Sequence, residues 1–430
     1  MRADASTMPA ASSAAPEALS GFASAVKRAP RIALFGQFGA GNLGNEASLE
    51  AMIRTIRAQI PQAAMTVICS RPDVVSSTFG LPAIDWMPPG IRSSALALVN
   101  RIFLKVPYKS VAPLRCAAAL RGFDMLLVPG TGLLDDFGER AAGGPFAILS
   151  WMLGARLAGC GVMMASIGAG PIRSRLSRSL MIGAARLAQE MSFRDEASRD
   201  FIRHHMRTRR DLPVYPDLAF SFDAPPRVAG AEDRTLALGV MRYRGWTNDD
   251  GGVYAGYIEK LACFGRQAID EGWTLRLVIG EAGDEEAVQG FRVALGAKGG
   301  ERMIARTHYS SARNIHDVIA QMSGARLAVA TRFHNVVGAL IAGTPVISLS
   351  YGAKNDILLD HMGLGAFTAH VETFDPEWLT ERVKILSAER DTRAVVIRQR
   401  VAEYRTALEE QAARLGRLVN RRANERRLAG

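Results

Sequence analysis

Arg332 and His334 stand two places apart in Thr331-Arg-Phe-His-Asn335, and Tyr351 and Lys354 follow in Ser350-Tyr-Gly-Ala-Lys354. These are the residue types of an anion site with a proton carrier. A guanidinium holds a carboxylate or phosphate through two parallel hydrogen bonds, and an ammonium adds a point charge. An imidazole gives up and takes back a proton near neutral pH. In an extended loop, side chains two places apart point the same way, so Arg332 and His334 are expected to face one ligand together. His334 is the candidate general acid, and a polar helix cap is its plainer alternative. His204, His205, His308, His316, His361 and His370 form no metal-ligating pattern such as His-Glu-x-x-His.

Other loops carry weaker signals. Gly36-Gln-Phe-Gly-Ala-Gly-Asn-Leu-Gly-Asn-Glu46 lets backbone approach a ligand and aims a helix N-terminus at it. It is no Walker A loop, because no Gly-Lys-Ser/Thr follows. Its Gly39–Gly41–Gly44 spacing has the G-x-G-x-x-G form but starts late after the strand, and Cys69-Ser-Arg-Pro offers no acid for a ribose. Asn42 and Glu46 could touch substrate; equally, Asn42 could cap the turn and Glu46 sit in the first helical turn. Gly130-Thr131-Gly132 is a second close-approach turn. Asp135 or Asp136 is a candidate base for a hydroxyl proton, against a capping or solvated acid pair. Arg194 could face a crevice or pair with Asp195 or Glu196. Arg242 and Arg244 offer an anion site or an exposed turn.

The elements that must position these loops follow from hydrophobic pattern. Arg31–Gly36 reads as a strand, Ala47–Gln59 as a helix with Leu49, Met52, Ile53 and Ile56 on one face, and Met65–Cys69 as the next strand. Buried strands ending in polar or Gly-rich loops recur at 124–129 and 161–167. A second series of strands is expected at 235–241, 274–279, 302–305, 326–330 and 345–349. In such open α/β sheets ligands bind at the carboxyl ends of the strands. With 430 residues and 48% hydrophobic content, two domains are expected rather than one core. The expected divisions are a mobile tail over 1–30, an N-terminal Rossmann-like domain over 31–223 on the acceptor side, a C-terminal Rossmann-like domain over 234–395 on the donor side, and a charged C-terminal helix and tail over 396–430. The Pro-rich stretch 224–233 is the linker.

The net charge of +11 admits nucleic acid, an anionic membrane surface or an anionic substrate. Nucleic acid is set aside, because Arg421, Arg422, Arg426 and Arg427 have no interleaved aromatics. The run from Arg414 to Arg427 reads as a solvated basic tail. Residues 91–120 interleave apolar side chains with Arg92, Arg101, Lys105, Lys109 and Arg115. They could rest on anionic lipid, form an ordinary core helix with solvated cations, or meet a partner protein. No apolar run is long enough to cross a bilayer. Cys69, Cys116, Cys160 and Cys263 are widely spaced, which fits a reducing compartment.

Taken together, the motifs resemble the polysaccharide pyruvyl transferase family. The matching pieces are the Gly36–Glu46 loop, Pro129-Gly-Thr-Gly, Ser166-Ile-Gly-Ala-Gly-Pro, Phe193-Arg-Asp-Glu-Ala-Ser, Tyr215-Pro-Asp, Arg332-Phe-His and Gly343-Thr-Pro-Val-Ile-Ser-Leu-Ser-Tyr-Gly-Ala-Lys, in family order over about residues 31–370. Two departures concern the acceptor side: Gly44-Asn45-Glu46 replaces the usual Gly-Asp-Glu, and Pro129-Gly130 stands where a double glycine is common. The resemblance implies two Rossmann-like domains facing a cleft, similar to GT-B glycosyltransferases. It implies phosphoenolpyruvate as donor, a saccharide diol as acceptor (free or lipid-linked), and a pyruvate ketal on an exopolysaccharide or cell-surface precursor. No metal or organic cofactor is implied. Arg332 and His334 match the family's donor-binding Arg-x-His, and Arg194 matches the Arg of Arg-Asp-x-x-Ser. Tyr351, Lys354 and Arg242 are expected on the donor side, and Asn42, Glu46, Gly130 and Thr131 on the acceptor side. The expected location is the cytoplasm, free or at the inner face of its membrane. The rival readings are a nucleotide-sugar glycosyltransferase of GT-B fold and a non-catalytic polysaccharide-assembly or binding protein.

Overall fold

The computed structural model describes residues 28–88, 106–135, 140–226, 234–245 and 252–429. Residues 1–27 of the expected tail, Arg92, Arg101 and Lys105 of the basic stretch, Asp136, and residues 227–233 of the expected linker lie outside the described residues.

Two parallel sheets carry the chain. The first holds β1 (Arg31–Phe35), β2 (Ala64–Cys69), β3 (Ala83–Asp85), β4 (Met125–Pro129), β5 (Gly161–Ile167) and β6 (Glu190–Phe193), in the order β3-β2-β1-β4-β5-β6. The second holds β7 (Thr235–Gly239), β8 (Thr274–Val278), β9 (Thr307–Tyr309), β10 (Leu327–Ala330), β11 (Val346–Ser350) and β12 (Thr368–His370), in the order β12-β11-β10-β7-β8-β9. Both are the Rossmann order. The central strands are apolar throughout because helices cover both faces of a parallel sheet. Every residue of β4, β5, β7, β10 and β11 is buried. The helix Leu43–Gln59 buries Leu49, Met52, Ile53 and Ile56, the face its periodicity marks. The strand order reverses between β1 and β4 and between β7 and β10, so each domain opens a crevice at that point.

Two sequence readings are corrected. Residues 301–304 form a short helix, and the strand begins later, at Thr307. The C-terminal basic run is not a solvated tail. It belongs to a helix over Arg390–Ala429, about 60 Å long at 1.5 Å per residue. Ile397 and Val401 are buried in its first half, and Leu415, Leu418 and Val419 in its second. Arg414 pairs with Glu190 at 2.6 Å, and the Gln411 amide donates to the Ser192 hydroxyl at 2.7 Å. The helix straps the second domain to the first. Of the basic stretch, the helix Val106–Ala119 packs on the helix Gly144–Leu157, burying Ala112 and Cys116 while Leu114 stays 62% exposed.

Candidate active site

The two crevices face each other across one cleft of about 330 Å³. Every side chain lining it leaves the carboxyl end of a strand. The loop after β1 and its helix supply Asn42 and Asn45, the turn after β4 supplies Thr131 and Gly132, and Arg194 follows β6. The second domain adds Met241 to Gly245 after β7, Gly280 after β8, Arg332, Phe333 and His334 after β10, and Tyr351 and Lys354 after β11. Backbone joins the walls directly: the Leu43 N–H donates to Gly280 O, and the Ala282 N–H to Gly41 O, both at 3.3 Å.

Charge is divided between the walls. Arg332, Arg242, Arg244 and Lys354 line the second-domain side and Arg194 joins them from the first, while Asn42, Asn45 and Thr131 give the first-domain side neutral hydrogen-bonding groups. No carboxylate lines the cleft among the described residues. Two helices, Phe333–Ile341 and Ala353–His361, start at the cleft without a side-chain cap. Their first-turn N–H groups add to the attraction for an anion.

Arg332 and His334 do not share an extended loop. Arg332 sits just before its helix, and His334 lies in the first turn. Helical geometry therefore turns them to different partners. Arg332 makes a bidentate pair with Asp284 at 2.8 and 2.9 Å and reaches Glu281 at 2.7 Å. His334 is 15% exposed, and its Nε2 lies 3.6 Å from Oδ2 of the buried Asp217. The imidazole rests on Gly44, where a Cβ would stand 1.9 Å from Nδ1, so only glycine fits there.

Lys354 belongs to a helix rather than a loop, in the first turn of Ala353–His361. It makes no ion pair among the described residues, and its Nζ stands 4.7 Å from the Tyr351 ring centre and 5.7 Å from that of Phe333. Arg194 stacks on Phe333 from the other domain at 4.7 Å, and pairs with Asp217 at 3.4 Å and Asp195 at 3.7 Å. One aromatic ring thus faces two cations that would otherwise repel. Burial alone would raise the Tyr351 phenol, but the charges of Lys354 and Arg332, a hydrogen bond from Lys354 and the charge of Arg194 bring it below the ordinary tyrosine range. Arg242 stands at the rim, paired with Glu286 at 3.2 Å.

On the first wall, Asn42 caps the helix Leu43–Gln59, accepting from the Gly44 and Asn45 N–H groups, and also lines the cleft. Glu46 turns away from the cleft to the glycine loop and accepts from the Gly39 N–H at 2.6 Å. Burial pushes its carboxyl up to about 7 against the hydrogen bonds of Gly39 and Gly41. Gly130 lies behind the wall in the left-handed region, at φ 54°, with Ser48 filling the space of a Cβ. Thr131 is left-handed too, at φ 67°, and its buried hydroxyl has no hydrogen-bond partner among the described residues. A β-branched residue held so costs roughly 1–3 kcal/mol, which the surrounding fold must offset.

Asp135 does not reach the cleft. Its loop runs beside the one after β5, where Leu134 O accepts from the Gly170 N–H, and this turns the carboxylate into a separate small cavity with Gln37 and Met181. Sequence reading also passed over Asp217, Glu281 and Asp284 as site residues. Glu281 and Asp284 follow a buried strand in Gly280-Glu-Ala-Gly-Asp284, and that strand-end position was the available signal.

Two Rossmann-like domains closing on a cationic cleft define the GT-B class of architecture. Solved structures agree on the fold. A glycosyltransferase from Rickettsia africae superposes with TM-score 0.57 at 10% identity, covering 91% of this chain and 99% of that one. The glycosyltransferase SnogD from Streptomyces nogalater gives 0.54 at 17%, covering 91% and 100%. A UDP-GlcNAc 2-epimerase from Methanocaldococcus jannaschii gives 0.54 at 12%, covering 83% and 92%. No curated protein matches the chain in sequence. The polysaccharide pyruvyl transferase profile matches residues 42–353, from the cap of the first helix to the helix carrying Lys354, and the chain belongs to that family.

Proposed function

We propose that the protein transfers a pyruvyl group from phosphoenolpyruvate to two hydroxyls of a saccharide, forming a pyruvate ketal on an exopolysaccharide or cell-surface precursor and releasing phosphate. The observation that carries this reading is one imidazole beside a group of cations at the mouth of two uncapped helices. Phosphoenolpyruvate carries a carboxylate and, on the adjacent enol carbon, a phosphate, with the methylene at the far end, and the cationic wall suits both anionic groups. Lys354 brings unpaired charge, and Arg332 is held in place by Asp284 and Glu281.

His334 protonates the methylene carbon, and positive character develops at the neighbouring carbon. One sugar hydroxyl adds there. Phosphate then leaves with that hydroxyl's proton, and the second hydroxyl adds and closes the ring. The neutral His334 left by the first step takes the second hydroxyl's proton, so one group serves as acid and then base. Asn42, Asn45 and Thr131 orient the diol. Closure of the two walls keeps water from the reacting enol.

The test is phosphate release from phosphoenolpyruvate across free and lipid-linked saccharides, with the product weighed by mass spectrometry. Acceptor-dependent phosphate and a pyruvyl mass increment are expected. Calorimetry separates the glycosyltransferase rival: tight binding of a nucleoside diphosphate with none of phosphoenolpyruvate would favour it. Contact with an anionic membrane is a separate proposal, read by vesicle co-sedimentation before and after neutralising Arg101, Lys105 and Lys109.

A further inference from the structure

Asp217 has no part in the scheme above, yet its carboxylate stands 3.6 Å from the imidazole of the proton carrier. Its side chain is 2% exposed. Oδ1 accepts from the Ala219 N–H at 3.1 Å, while Oδ2 faces Arg194 at 3.4 Å and His334 Nε2 at 3.6 Å. Arg194 belongs to the same domain; His334 comes from the other. His334 Nε2 is buried and has no hydrogen-bond partner among the described residues.

We propose that Asp217 is a positioning residue that holds the Nε2–H form of His334 from the opposite domain. The proposal rests on the pyruvyl-transfer reading of this cleft. A separation of 3.6 Å is slightly long for a hydrogen bond, and catalytic contacts in empty sites often tighten only when substrate binds. With Nε2–H turned to the carboxylate, Nδ1 is the nitrogen that gives and recovers the proton. A carboxylate behind an imidazole fixes its tautomer and ring orientation. Burial alone would raise the Asp217 carboxyl, but the His334 and Arg194 charges hold it well below the usual carboxylate range, so it stays an acceptor. Because the partners sit on different domains, opening the cleft separates them. The acid is complete only when the walls meet, which spares the enol phosphate from protonation in an open, wet site.

The experiment is a double-mutant cycle on the full chain with Asp217→Asn, His334→Gln and the pair, read by phosphate release with phosphoenolpyruvate and a saccharide acceptor. Asp217→Asn is expected to lower kcat about 10²-fold, with KM for phosphoenolpyruvate changed less than about threefold. Added to His334→Gln, it should cost almost nothing further, which a merely structural role would not produce. Additive losses, or an unchanged kcat, overturn the proposal. Thermal melting checks folding. Should Asp217→Asn not fold, ¹⁵N-histidine NMR of the unaltered protein decides instead: a neutral His334 with its proton on Nε2 supports the pair, and an Nδ1–H form refutes it. If the unaltered protein releases no phosphate with any acceptor, the pyruvyl-transfer reading fails, and the tautomer still judges the pair.

Discussion

Lys354 and Arg332 both line the cleft, but their charges are differently committed. Arg332 is balanced by Asp284 and Glu281, whereas Lys354 makes no ion pair among the described residues and stands against the Tyr351 and Phe333 rings and the Tyr351 phenol. The unpaired ammonium should therefore contribute more to net attraction for a dianion. Lys354→Met is predicted to weaken phosphoenolpyruvate binding by about 2 kcal/mol, the range for a hydrogen bond to a charged group, as measured by calorimetry. Thr131 poses the opposite question, since it is strained and its hydroxyl is unused within the protein. Thr131→Gly should raise stability by roughly 1 kcal/mol in urea melts, because glycine adopts φ 67° without penalty. The same variant should raise KM for the saccharide and leave phosphoenolpyruvate binding unchanged. Equal melting, or loss of donor binding instead, would show that the hydroxyl serves another purpose.

Among elements, the glycine loop after β1 depends on Glu46, whose carboxylate ties it to the first helix. The folded-state pKa is raised, from 4.5 to about 7, so the associated stability is fully present below about pH 4.5 and is lost as pH rises through about 7. Glu46→Gln keeps an acceptor for the Gly39 N–H and removes the titration. Relative to the unaltered protein, it should be equally stable near pH 4.5 and more stable near pH 8 by on the order of 2 kcal/mol, read from paired urea melts. A constant difference across that range would count against the buried carboxyl.

Strand ends, where Arg332, Arg194 and Thr131 sit, were legible because apolar runs stop abruptly at glycine or charge. Lys354's helix was not, since Ala353–His361 shows no apolar stripe at helical spacing, nor were β3 and β12, since three-residue strands leave no period to count. The direction of each side chain was also hidden. Asp135 reads as well as any acid in sequence, and only the path of its loop beside β5 turns it from the cleft. Asp217 is visible in sequence only as the end of the Tyr215-Pro-Asp motif, and its contact with His334 appears only when the second domain packs against it.

For the whole molecule, the helix Arg390–Ala429 runs across both halves of the chain and packs on each. Gln411 joins it to Ser166 and Ser192 inside the first domain, where Ser166 is held at φ 51°. Gln411→Leu would leave buried hydroxyls short of a partner. It should lower stability by about 1–3 kcal/mol while preserving the cleft residues, so melting falls and KM for phosphoenolpyruvate does not. An unchanged melting temperature would mean that the buried Leu415, Leu418 and Val419 and the Arg414–Glu190 pair hold the helix without Gln411.

The central claim is that this cleft protonates the methylene carbon of an enol phosphate as a saccharide diol adds beside it. The direct measurement is the reaction run in D₂O with phosphoenolpyruvate and an acceptor saccharide, with the ketal methyl group read by NMR. One deuterium in each methyl group is predicted, delivered through the exchanged imidazole of His334. A ketal whose methyl carries no solvent deuterium, or a product without the pyruvyl group, would contradict it.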